Sequence, residues 1–123
     1  MNSNYATAFF QHLGKLFYAI SAADGTINEN ELNVVSTLVR KLKKQNLYSE
    51  QIEITFNELV KSSANSAECF REFVTYKNKN NSLFTSEINR FIVEIAGSIA
   101  SSFSKKNKSE LILLAQLELE LRK

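Results

Sequence analysis

The chain has 123 residues, 44% of them apolar and 23% charged, a composition that suits one globular domain and excludes a disordered segment. A single cysteine, Cys69, and a single histidine, His12, exclude an intrachain disulfide framework and a Cys/His zinc cluster. Fifteen basic against thirteen acidic residues leave a net charge of +2, too small to call for nucleic acid or an acidic membrane surface.

No proline and only three glycines, in a chain rich in Leu, Lys, Glu and Ala, predict an all-α fold of about six helices in one domain spanning residues 1–123. From Tyr5 to Ala22 the apolar residues Phe9, Leu13, Leu16, Phe17 and Ile20 recur every three or four positions, the period of an amphipathic helix. Asp24-Gly25 ends it, because Asp bonds its own backbone and Gly accepts the positive φ that stops a helix. A second helix starts at Asn28, placed to cap it, with Glu31 reaching back in the manner of a capping box. Its stripe is Leu32, Val35, Leu38, Val39 and Leu42, and Arg40, Lys41, Lys43 and Lys44 crowd its last turn, where positive charge suits the helix dipole. Ser49 is expected to cap a third helix that buries Ile52, Phe56, Leu59 and Val60. Residues 62–66 connect it to a shorter fourth helix carrying Cys69, Phe70, Phe73 and Val74, and the run KNKNNS at 77–82 reads as a loop. The fifth helix covers Thr85 to Ser101 on Ile88, Phe91, Ile92, Ile95 and Ile99. The sixth starts at Asn107 and runs to Leu121 with Leu111, Leu114, Leu117 and Leu121 inward.

The two ends of the chain resemble each other. A shift of 79 residues, the spacing between Glu31 and Glu110, lays Leu13 on Ile92, Ile20 on Ile99, Asn28 on Asn107 and Leu38 on Leu117 without a gap. Apolar period alone aligns any two helical hairpins, but it does not require both Asn-x-x-Glu caps to coincide. The register predicts two pseudo-symmetric helix-turn-helix halves. Under that symmetry the mid-helix glycines Gly14 and Gly97 face each other where the first and fifth helices cross.

The string AADGTINENEL, from Ala22 to Leu32, closes an apolar helix with Ala-Asp-Gly-x-Ile-x-x-x-Glu. It resembles the signature of TerB-like domains, the tellurite-resistance TerB proteins and the related regions of DnaJ-type co-chaperones. The resemblance is sharp over the first two helices and degenerate over residues 85–121, where Phe103 and Ser104 stand at the positions of Asp24 and Gly25. It implies an all-helical domain of two similar halves, a non-enzymatic role in a tellurite or stress-response setting, and an acidic surface suited to a divalent cation such as calcium. Asp24, Glu31 and Glu110 are the residues carried over as its ligands, since hard cations want converging carboxylate oxygens. The competing reading makes Gly25 and Asp24 a turn, pairs Glu31 and Glu110 with the caps Asn28 and Asn107, and leaves a structural or protein-interaction module without an ion.

Other chemistries find little support. As an EF-hand loop the segment would put Ile20 and Ala22 where the first two carboxylate ligands belong, so it is not one. Cys69, beside Phe70 and Phe73, reads as a small buried hydrophobe, and His12 flanks a core stripe, so neither suggests a nucleophile and its base. The lysine clusters at 40–44, 77–79 and 105–108 fall at a helix end and in loops, where solvated lysine is usual, and no nucleic-acid binding is expected. No apolar run reaches a membrane span and no signal peptide is evident, so a cytoplasmic monomer or homodimer with an unidentified protein partner is expected.

Overall fold

The computed structural model describes residues 3–25, 27, 29–44, 47–101 and 108–123. Six α-helices carry them: α1 (Ser3–Ser21), α2 (Glu29–Lys43), α3 (Glu50–Ser62), α4 (Ser66–Lys79), α5 (Ser86–Ala100) and α6 (Lys108–Arg122). Two 3₁₀ turns, Leu47–Ser49 and Asn81–Leu83, precede α3 and follow α4, and none of the described residues lies in a strand. The all-α expectation holds.

Helix α1 is the axis of the domain. Six successive residues, Leu16 to Ser21, are buried, so its second half is covered on every side, as apolar composition around a whole helix requires. Helices α3, α4, α5 and α6 all pack on it. Phe17, Phe56 and Phe73 fill the centre, each burial stabilising by roughly 1.5–3 kcal/mol relative to exposure. Phe84, after the second 3₁₀ turn, packs edgewise on Phe73 and tilted on Phe9, tying the α4–α5 connection to α1.

Close approach of α1 and α3 explains one glycine. A Cβ at Gly14 would lie 2.8 Å from the Ile52 carbonyl oxygen and 3.0 Å from Thr55 Cβ, so only Gly lets the two backbones meet there. Gly97 faces open space, with nothing within 4 Å of such a Cβ. The expected Gly14–Gly97 crossing is therefore wrong: each glycine has its own surroundings, and Gly14 belongs to the α1–α3 contact. Because Gly97 sits mid-helix without a steric reason, Gly97→Ala should stabilise by up to ~1 kcal/mol from helix propensity, read as a raised midpoint in urea unfolding.

Helix ends correct several expectations. Ser49 closes the 3₁₀ turn with helical dihedrals (φ −62°, ψ −20°) and gives α3 no side-chain cap. Asn65 and Thr85 do the capping instead, with extended backbones and side chains accepting from the N–H of Glu68 and Ile88. Helix α3 ends in a Schellman motif: Ser63 is left-handed (φ 52°, ψ 46°), its N–H reaching Val60 O and that of Ala64 reaching Leu59 O. Helix α4 is not short, and it runs through the expected loop to Lys79. Lys77 is not solvated but 2% exposed, continuing the stripe of Cys69 and Phe73 at four-residue spacing. Its ammonium donates to the Lys123 carbonyl at 3.0 Å while Asn89 Nδ2 donates to the Leu121 carbonyl at 3.2 Å, so α4 and α5 together cap the end of α6. Leu111, expected inward, is 45% exposed, and Glu110, Leu117 and Leu121 form the buried face of α6.

Candidate functional site

The Asp-Gly turn follows α1 directly. The Ala22 N–H bonds the Tyr18 carbonyl at 2.8 Å, and the Gly25 N–H bonds the Ala22 carbonyl at 2.9 Å. Gly25 has φ +91°, a conformation that favours glycine, and it ends the turn that follows α1. Asp24 is exposed on this turn.

Glu31 is the third residue of α2 and Glu110 the third residue of α6. Both are fully buried. First-turn carboxylates are favoured by the positive end of the helix dipole, and here two such turns are brought together. The Glu31 carboxyl neighbours that of Glu110 and favours its protonated form. Burial first, then the Glu31 carboxyl beside it and the charge of Asp24, push Glu110 up to about 9. The three acidic residues nominated from the sequence thus act on one another, two by contact and Asp24 through its charge. Asn28 and Asn107, the expected caps, lie outside the described residues.

Paired carboxyls are the beginning of a hard-cation site, since calcium, magnesium and manganese take oxygen ligands. Among the described residues no group of three or more Asp, Glu, His or Cys side chains converges closely enough to hold a metal ion. Glu31 and Glu110 are the two carboxyls that could face one hard cation, with Asp24 near enough only to add charge. A closed zinc site or a calcium cage needs more ligands than these.

Sequence reading missed a polar cleft of about 620 Å³ between α1 and α4. His12 forms part of its wall, stacked on Tyr76 with ring centroids 4.0 Å apart and planes 10° from parallel. Its Nδ1–H donates to the Ala8 carbonyl at 2.8 Å, and burial lowers its basicity, so the ring is a neutral packing group. Lys15 and Glu72 pair across the cleft at 3.3 Å. The contacts join residues 12 and 76, and no local pattern announces them. Cys69 is buried, and burial together with Glu72 raises its thiol, keeping it from the thiolate form a nucleophile needs.

No helix among the described residues is long and apolar enough to cross a membrane. No family model matches the chain, and neither does any curated protein or solved structure.

Proposed function

We propose that the chain is a non-enzymatic, TerB-like helical module that binds a hard divalent cation weakly, calcium in the first instance, between the N-terminal turns of α2 and α6. It would act in the cytoplasm, in a tellurite or other stress response. The observation that carries this reading is the contact of Glu31 with Glu110, two fully buried carboxyls far apart in sequence and equivalent in the repeat. Burying two acidic groups side by side is costly, and a proton or a cation between them lowers that cost. The buried Cys69, its thiol raised by burial and Glu72, argues against a cysteine nucleophile.

Backbone amide NMR of the chelator-stripped protein, titrated with calcium, magnesium, manganese and zinc, tests the site. Shifts concentrated at residues 24–31 and 108–111 are expected with calcium or magnesium. No change at millimolar metal would remove the ion. Asp24→Asn keeps the local turn bonds but removes the charge, and should weaken calcium binding about tenfold, as loss of a site carboxylate does. Unchanged affinity would return Asp24 to a turn residue only.

A second reading, an interaction module without an ion, is favoured by α6, where Leu111, Ile112 and Leu119 are 45%, 52% and 59% exposed. Large apolar side chains on one exposed helix mark contact surfaces.

A further inference from the structure

On the side of the domain formed by α2 and α5, an apolar groove of about 430 Å³ opens to solvent. Val34, Leu38 and Leu42 line it from α2 at four-residue spacing, and Phe91 and Ile95 line it from α5 with the same step. All but Leu38 are only partly buried. Two parallel ridges of this kind accept the side chains of a third helix laid between them.

The charge that α2 brings to the groove is basic. Lys41 lines the groove, exposed Arg40 precedes it in the last turns of α2, and exposed Lys44 follows just past the helix end. These three cations pair with no acidic side chain among the described residues, whose ion pairs lie at Lys15–Glu72, Arg71–Glu68 and Lys123–Glu120. Glu94 of α5 lines the separate cleft toward α6, with Arg122. A second copy's α6 is a weaker occupant, because Lys108 and Arg122 border Ile112 and Leu119 along with Glu118 and Glu120, so its exposed ridge is not acidic on balance.

We infer that the α2–α5 groove docks an amphipathic helix of a partner protein, with apolar side chains in the groove and acidic side chains against Arg40, Lys41 and Lys44. This is independent of the cation site, which lies at the opposite, N-terminal end of α2.

Two labelled synthetic peptides test it against the full chain by fluorescence anisotropy. Both carry leucines at i, i+4 and i+7, one flanked by glutamates and the other by lysines. The glutamate peptide should bind, and added salt should weaken it. Lys41→Glu, at an exposed position that leaves the fold intact, and Ile95→Asp, in the groove wall, should each weaken it about tenfold or more. The lysine peptide should bind only after Arg40, Lys41 and Lys44 are all changed to glutamate. Circular dichroism confirms that each variant is folded, and Lys41→Glu decides the matter if Ile95→Asp is not. Equal binding of both peptides, no binding of the glutamate peptide, or affinity indifferent to Lys41→Glu overturns the proposal. A wild-type dimer in sedimentation that Ile95→Asp dissociates also overturns it, by making a second copy the occupant.

Discussion

Gly14→Leu is expected to destabilise the protein by about 3 kcal/mol, the upper end of ordinary overpacking. The reason is the immobility of what the new side chain meets. Its Cβ alone would stand 2.8 Å from the Ile52 carbonyl oxygen, which is helix backbone and cannot swing aside as a side chain could. Gly14→Ala should also destabilise, although alanine gains roughly 1 kcal/mol of helix propensity, because its Cβ makes the same contact. Urea unfolding should show both as lowered midpoints with little change in slope, and leucine as the worse of the two. Equal stability of Gly14→Leu and wild type would mean that α1 and α3 do not approach so closely.

In the absence of metal, stability should fall as pH rises from about 4.5 to about 9. Glu110 holds its proton up to about 9 in the folded protein, while its ordinary carboxyl value, regained on unfolding, is 4.5. Between those limits the native state binds more protons than the unfolded state, so each rise in pH favours unfolding. The contribution is fully present below the lower limit and lost by the upper one, with a slope of at most about 1.4 kcal/mol per pH unit for one proton. Glu110→Gln keeps a hydrogen-bond donor for Glu31 but does not titrate, and should flatten the profile across this window. Urea midpoints at a series of pH values check it. A wild-type profile as flat as that of the variant would contradict a raised Glu110.

The helices were legible because their apolar stripes repeat at helical spacing, and Leu13, Phe17, Ile20, Ile92 and Ile99 are buried as that spacing requires. Caps were less so. Ser49 and Asn65 are both cap residues by type, but only Asn65 has the extended backbone a cap needs, and dihedrals at a 3₁₀ junction depend on tertiary packing. Lys77 was misread on charge although its position continues the Cys69–Phe73 stripe. Its long stem packs inward while the ammonium finds a helix end to bond. Gly14 and Gly97 were paired by register alone, which fixes the order of residues along a helix but not which neighbour covers each face.

At the candidate site, sequence supplied the residues and the fold supplied their meeting. Glu31 and Glu110 were singled out by equal spacing from two possible caps and by the resemblance around Asp24-Gly25. Their burial had no sequence signal, since first-turn glutamates are ordinarily solvated. Their burial comes from tertiary packing, and the approach of Glu31 to Glu110 is a long-range contact that neither local pattern contains. The His12–Tyr76 stack was illegible for the same reason.

Calcium titration of the chelator-stripped protein by isothermal calorimetry, repeated in buffers of different ionisation enthalpy near neutral pH, tests the central claim most directly. A cation held by Glu31 and Glu110 must displace the proton that Glu110 carries near neutral pH, so binding should release close to one proton, and Glu110→Gln should abolish that release. Heat no greater than dilution at millimolar calcium, or binding that releases no proton and is unaffected by Glu110→Gln, would contradict a cation site at this pair.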